Sequence, residues 1–203
     1  MTVAKIIPLS FVMIAGPQIL SAIFLATSED WRGNSAALVA GAAVSITAIA
    51  SLAFFLSNGP SHTGGSGKAL DIIFMVLLVA AGVHTFLTRK TSKPPKWMGE
   101  LETAKPKRSF RLGFLLLGVF PTDILTSIAV GGSLSRHGDP WWHVLLFVLV
   151  TLLFLALPSL LVILLGERGQ KLLPKVRDWM NANSWIVSEI VIGLFVVITV
   201  SNL

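Results

Sequence analysis

The residue with the clearest chemical potential is Asp123, which lies inside a long apolar run directly after Pro121 and Thr122. An acid at the centre of a bilayer costs on the order of 3 kcal/mol on insertion scales and therefore indicates function by default. Asp123 can bind a cationic group or take up a proton. The alternative is a structural acid that is hydrogen-bonded to Thr122, to Thr126 or to the end of a broken helix.

A second proline, Pro17, precedes Gln18 in an earlier apolar run and so repeats the pattern at Pro121. Proline removes a backbone donor and clashes with the preceding turn. The freed carbonyls are costly in hydrocarbon unless protein or water satisfies them. The two prolines therefore predict helices that break around a wet cavity. The alternative is a packed kink at each proline, satisfied by the hydroxyl group of Ser21, Thr126 or Ser127.

These patterns define two sets of candidate residues. Asp71 and Glu189 lie in the first turns of predicted helices, where the macrodipole also explains an acid, and His84 lies near a span end, where packed histidines are common. The candidates for substrate binding or coupling are Pro17, Gln18, Ser21, Pro121, Thr122, Asp123 and Thr126, and the secondary candidates are Asp71, His84 and Glu189.

Other chemistries find little support in the sequence. The absence of cysteine excludes disulfides, thiolate metal sites and thiol redox relays. His62, His137 and His143 lack metal-ligand spacing, and the glycine-rich stretch 64–68 lacks the full phosphate-loop spacing. There is no nucleophile elbow. We therefore expect no enzyme activity, no catalytic residue, no cofactor and no metal.

Composition indicates a membrane protein. Of 203 residues, 54% are hydrophobic and 13% are charged, and the mean hydropathy is +0.79. Such values exclude an ordinary soluble domain and an intrinsically disordered chain. The net charge of +6 comes from basic residues in a few loops. A membrane surface with anionic headgroups is therefore the expected acidic partner, rather than nucleic acid.

Six apolar runs are each about long enough for a membrane-spanning helix. All six tryptophans lie at span ends or in loops, where the indole ring reaches the headgroup level. The alternating pattern of a membrane barrel is absent. The predicted spans are Ile6–Thr27, Ser35–Ser57, Ala69–Leu87, Phe110–Leu134, Trp141–Leu165 and Ser184–Val200.

Basic residues predict the orientation of these spans. The loops after spans one, three and five, with the first turn of span four, hold 13 of the 16 lysines and arginines. The remaining three are Lys5, Lys68 and Arg136. The positive-inside rule therefore places the odd-numbered loops in the cytoplasm and both termini outside, in a multi-pass protein of the plasma or inner membrane.

The two halves of the chain resemble each other. Spans one and four both carry a proline, polar residues and then Ile-Leu, and spans three and six each carry one acid near their start. Because each unit has three helices, the second copy must enter the membrane upside down, which is a common plan of secondary transporters. We predict an all-α membrane protein with a first repeat at 1–87, a basic linker at 88–109 and a second repeat at 110–203.

Two further patterns concern packing and the membrane surface. Ala37, Gly41 and Ser45 fall four residues apart in span two, which favours close helix packing or, alternatively, a helix that slides. Segment 168–183 carries an apolar stripe among basic residues, and with segment 88–111 it suits contact with anionic headgroups. Pro174 interrupts the stripe, so the helix is expected to begin there. The residues of the stripe are Leu172, Leu173, Val176, Trp179 and Met180.

The chain resembles the peptidoglycolipid-addressing protein family, also called sulfolipid-addressing proteins, a branch of the LysE exporter superfamily. The resemblance rests on Gly16-Pro17-Gln18, on 95–101, on 107–114 continuing into Pro121-Thr122-Asp123, on the stretch around Pro158 and on 177–180. It implies a six-span inner-membrane protein that helps to move a glycolipid or another amphiphile toward the cell envelope. Asp123 departs from the neutral polar residue expected there, which bears on the charge of the substrate.

Three functions remain open at this point. The first is an exporter or translocation factor for a lipid, glycolipid or other amphiphile, which works by alternating access at a midplane site. The second is a small-solute or cation exporter of the LysE type. The third is a non-transporting membrane scaffold that docks an envelope-assembly enzyme. The expected partners are membrane lipids and the transported amphiphile, with a homo-oligomer or an envelope-assembly protein as further alternatives.

Overall fold

A computed structural model describes residues 9–57 and 101–183, apart from residues 12, 15, 16 and 102. These residues are 87% helical and contain no strand. Spans three and six lie outside the described residues, as do Asp71, His84 and Glu189, and the predictions about them stay predictions. The helices are α1 (Pro17–Ala26), α2 (Trp31–Leu56), α3 (Pro106–Val119), α4 (Pro121–Arg136), α5 (Trp142–Leu165) and α6 (Glu167–Ala182).

Two of these helices, α2 and α5, are long and apolar enough to cross a membrane. The pair α3 and α4 passes the same test together, although its two helices meet at an angle of 68°. Leucines on the outer face of α5 are exposed at helical spacing, among them Leu149 at 64% and Leu153 at 57%. Acyl chains cover such a surface at little cost, whereas water does not. The chain is therefore an all-helical, membrane-associated protein with two or three candidate spans in its described part.

Helix α2 is the central element against which both α3 and α4 pack. A Cβ added at Gly113 would collide with the carbonyl oxygen of Leu38, and one added at Gly41 would collide with that of Phe110. Further along α2, a Cβ at Gly131 would collide with the carbonyl oxygen of Ala50. Small residues thus let the helix backbones touch. The packing role predicted for the small residues of span two is confirmed at Gly41.

One end of the bundle is held together by the buried side chain of Asn34. Its Nδ2 donates to Ser28 Oγ at 2.9 Å and to the carbonyl oxygen of Ala104 at 2.8 Å. Its Oδ1 accepts from Ser109 Oγ at 2.9 Å. The amide of Asn34 therefore joins the loop after α1 to the segment that leads into α3.

At the opposite end, the C-terminal parts of α2 and α4 meet the start of α5. Trp141 Nε1 donates to Ser51 Oγ at 3.0 Å, and Gly132 faces Ser57. By contrast, Gln170 and Pro174 of α6 lie beside the loop after α1, at the Asn34 end. The described parts of the three loops predicted to be cytoplasmic thus share one end, while the side of the membrane that this end faces stays a prediction.

Several predicted boundaries differ from the structure, and helix α2 begins at Trp31, four residues before the predicted start of span two. Helix α6 runs unbroken through Pro174 and begins at Glu167, so the expectation that the helix starts at Pro174 was wrong. Its contacts with α5 and α1 outweigh the hydrogen bond that proline removes. Helix α3 begins at Pro106, four residues before the predicted start of span four, because proline suits the first turn of a helix.

The contact between α4 and α2 predicts a contrast between two adjacent glycines. We expect Gly131→Ala to lower the free energy of unfolding by about 1–3 kcal/mol, because the new methyl group meets the backbone of α2. Gly132→Ala is the matched control, since its methyl group meets only the movable side chains of Ser57 and Arg136. Thermal unfolding in detergent, followed by tryptophan fluorescence, measures both. Equal midpoints for the two variants would contradict backbone contact between α4 and α2.

Candidate functional site

The predicted break at Pro121 is present in the structure. Phe120 has φ −64° and ψ 125°, an extended conformation that separates α3 from α4, and Pro121 is the first residue of α4. Proline is favoured there because its missing N–H would have no intrahelical partner in any case. The amides of Asp123 and Ile124 both donate to the carbonyl oxygen of Phe120, at 3.1 and 3.0 Å. These bonds hold Asp123 in the first turn of α4.

Helix α1 likewise begins with a proline, Pro17, which places Gln18 in its first turn. The side chain of Gln18 is only 3% exposed. The hydroxyl of Ser21, one turn later, donates to the carbonyl oxygen of Pro17 at 2.6 Å. Both prolines are therefore the first residues of helices that carry a polar side chain within the first turn.

The polar side chains at the two helix starts are hydrogen-bonded to each other. Gln18 Nε2 donates to Asp123 Oδ2 at 2.6 Å, although the two residues are 105 positions apart in the sequence. Asp123 is 2% exposed. Its other oxygen, Oδ1, receives only a long contact of 3.4 Å from Thr122 Oγ1. Among the described residues no lysine or arginine pairs with Asp123, so a neutral amide is the close donor to this acid.

The two helices leave this pair in opposite directions. Helix α1 runs toward the Asn34 end, and α4 runs toward the end at Trp141. Gly118, just before the break, faces Ser45, and Gly131, after it, faces Ala50. The break between α3 and α4 therefore lies about halfway along α2. Two helix N-termini, each with a partial positive charge, begin at this site, and they favour a negative group there.

Several buried oxygens lack a hydrogen-bond partner within the described part of the chain. One is Gln18 Oε1, the other end of the amide that binds Asp123. Another is Ser127 Oγ, which lies one helical turn after Asp123 and therefore on the same side of α4. Buried polar groups are nearly always hydrogen-bonded, to water or a ligand where protein does not serve. The remaining oxygens of this kind are the hydroxyls of Ser10, Ser35 and Ser45.

The other predicted site residues either form hydrogen bonds within their own helix or are exposed. Thr126 Oγ1 donates to the carbonyl oxygen of Thr122 at 2.7 Å, just as Ser21 bonds to Pro17. Both hydroxyls thus bond back to carbonyls of their own helices, and not to the carbonyls that each proline would free in the preceding turn. Pro121 and Thr122 are exposed. Gln18 and Asp123 remain as the pair that the fold brings together.

Sequence reasoning named Ser127 only as a hydroxyl that could satisfy a packed kink, and it missed Asn34 as a buried polar residue. Ser127 had a signal, because a residue four positions after a buried acid shares its helix face. Asn34 had none, since two of its three partners, Ala104 and Ser109, come from a distant segment. The described residues contain no group of three or more metal-ligating side chains.

Comparison with known families assigns the chain to one of them. The family model of Sap, sulfolipid-1-addressing protein, matches residues 6–202. The chain belongs to this family. The match includes both the α1 start and the α4 start, and it confirms the resemblance seen in the sequence. Membership in the Sap family points to a lipid-related role in the cell envelope. No curated protein and no solved structure matches the chain significantly.

The hydrogen bond between Gln18 and Asp123 predicts a non-additive pair of substitutions. Gln18→Leu leaves the buried carboxyl group without its close donor, and we expect a loss of about 2–3 kcal/mol in unfolding free energy. The double variant Gln18→Leu/Asp123→Leu removes both polar partners and should recover most of that loss. Thermal unfolding in detergent measures the coupling. Ile19→Leu, next to Gln18, is the control for packing changes.

Two results would contradict this prediction. A double variant no more stable than Gln18→Leu alone would mean that packing outweighs the hydrogen bond. A Gln18→Leu variant as stable as the native chain would mean that Asp123 does not need the amide.

Proposed function

We propose that this protein exports or translocates a lipid, glycolipid or other amphiphile toward the cell envelope, by alternating access at the Gln18–Asp123 site. The observation that carries the proposal is the buried 2.6 Å hydrogen bond between these two residues at helix starts halfway along α2. Membership in the sulfolipid-1-addressing family supports a lipid-like cargo. The protein acts as a carrier rather than an enzyme, in the plasma or inner membrane, with both termini outside.

The opposed directions of α1 and α4 support an inverted repeat. Two half-helices that start together and run to opposite ends are what three-helix units of opposite orientation produce. In the proposed six-span protein, 1–87 and 110–203 are these units, and they rock against each other about the site. With Gln18 and Asp123 both buried, the described conformation corresponds to an occluded state.

Asp123 is the proposed handle for a proton or a cation. The two helix N-termini supply only partial positive charge, and an ionised acid buried without a counter-ion is costly, so the site favours a state in which Asp123 holds a proton or a bound cation. Uptake and release of this proton or cation would change the hydrogen bond between Asp123 and Gln18. The preference of the protein for one of its two access states would change as a result. The sequence has no nucleotide-binding motif, so the energy would come from an ion gradient or a partner protein.

This mechanism predicts that Asp123→Asn abolishes transport without unfolding the protein. Asparagine still accepts a hydrogen bond from Gln18 but cannot exchange a proton. Purified protein in liposomes, with an NBD-labelled glycolipid as the cargo and a proton gradient across the membrane, gives the movement between leaflets by dithionite quenching. We expect the variant to fall to the rate of empty liposomes, while its detergent melting temperature stays near that of the native chain.

Asp178→Asn is the matched control, because Asp178 is an exposed acid on α6 with 68% of its side chain accessible. We expect it to transport at the native rate. Native-rate movement by Asp123→Asn would remove Asp123 from the mechanism.

A second candidate, export of a small cationic solute, is favoured by the lack of a lysine or arginine partner for Asp123 among the described residues. A cationic amine would supply the missing counter-charge. The same liposomes loaded with radiolabelled lysine test it. We expect no efflux above background if the cargo is an amphiphile. Efflux that depends on Asp123, with no movement of the glycolipid, would favour the cation exporter. Activity toward neither cargo would favour the scaffold.

A further inference from the structure

The outward face of α6 plays no part in the transport site, and it differs from the predicted stripe. That stripe is divided in two by the structure. Leu173 and Met180 are 2% and 9% exposed and, with Val176, pack into the core. Leu172 and Trp179 are 44% and 53% exposed on the outside. Large apolar side chains are thus left on a helix that already has a protein-facing side.

Contacts on the inner side fix this orientation. Gly166, with φ 53°, turns the chain between α5 and α6. Gly169 then lies so close to α5 that an added Cβ would be 2.7 Å from the carbonyl oxygen of Leu161. The guanidinium of Arg177 lies 5.1 Å from the ring centre of Phe24 on α1. Helix α6 is therefore held against the bundle and cannot turn Trp179 inward without losing these contacts.

Basic side chains flank the exposed apolar pair. At 3.6 residues per turn, Leu172 and Trp179 point in nearly the same direction, and Arg168 and Lys175 lie within about 60° of both. Lys171 lies about 80° from Trp179, at the edge of this face, and all three basic residues are exposed. A face that combines indole, leucine and cations has the chemistry of an interfacial helix.

The depth of α6 in the membrane follows from the position at which α5 ends. Helix α5 is a candidate span, and its last residues are strongly exposed, with Leu164 at 78%. Helix α6 begins at Glu167, directly after Gly166. It therefore starts where the hydrocarbon region ends, at the depth where tryptophan and basic residues are most favourable.

We propose that the outer face of α6, formed by Arg168, Lys171, Leu172, Lys175 and Trp179, docks on the headgroup layer of an anionic membrane. Leu172 and Trp179 insert beside the acyl chains, and the three cations pair with lipid phosphates. A second copy of this chain is a poorer occupant, because a two-fold contact would bring the same cations together. This surface goes beyond the transport proposal and does not depend on it.

The absence of cysteine allows a direct test with single spin labels on the full chain. Leu172→Cys and Trp179→Cys carry the label on the docking face. Asp178→Cys is the matched control, because it lies about 100° around the helix from Trp179 and about 120° from Leu172, away from the exposed apolar pair. The labelled proteins are reconstituted in phosphatidylcholine vesicles containing phosphatidylglycerol, and power saturation gives the collision rates with oxygen and with a water-soluble nickel chelate.

We expect the labels at 172 and 179 to collide several-fold less with nickel, and more with oxygen, than the label at 178. Nickel collisions equal to those at 178 would place the face in water and overturn the proposal. Exclusion of both reagents from positions 172 and 179 would mean that protein covers the face, and it would also overturn the proposal.

A separate experiment tests whether docking depends on anionic lipid. Neutralising Arg168, Lys171 and Lys175 to glutamine, in the chain labelled at 179, should raise the nickel collision rate in vesicles with phosphatidylglycerol to the level seen with phosphatidylcholine alone. A control triple, Lys107→Gln, Arg108→Gln and Arg111→Gln, removes the same charge from α3 and should leave the rate unchanged. An equal response to the two triples would overturn a local role for the α6 cations.

Discussion

The hydrogen bond between Gln18 and Asp123 is the interaction on which the rest of this structure depends. A carboxyl group at this depth would be costly without a donor, and an amide would be costly without an acceptor. Each helix can begin at its proline within the bundle because the other supplies the missing partner. The pair therefore explains why two polar residues 105 positions apart each follow a proline at the start of a helix.

Close packing makes this pair possible. Glycines on α3 and α4 bring their backbones against α2, which leaves the break between them at a defined level of the bundle. The Asn34 amide then joins the loop after α1 to the segment before α3, so that the two breaks are held in register. A larger side chain at one of these glycines or at Asn34 would separate the helix starts and leave the side chains of Gln18 and Asp123 unsatisfied.

Much of the fold could be predicted from composition and hydropathy. The apolar runs gave α2, α5 and the pair α3 and α4 to within a few residues, because a bilayer demands a fixed length of apolar helix. The apolar stripe in segment 168–183 identified α6 but did not show that the helix continues through Pro174. A local sequence pattern does not reveal packing against neighbouring helices. Within the candidate site, the residue type and position singled out Asp123 and placed Gln18 among seven candidates, whereas their pairing came from the structure.

The sequence by itself determined that this is a helical membrane protein of the sulfolipid-1-addressing family. It also placed polar residues at two predicted proline breaks. These residues must find partners, because hydrocarbon penalises every unsatisfied polar group. Only the tertiary structure decided that the two breaks meet, that Ser21 and Thr126 bond to their own helices, and that the stripe on α6 is divided between core and surface. These outcomes depend on which side chains lie opposite each other across helices, and residues far apart in the sequence carry no local record of that pairing.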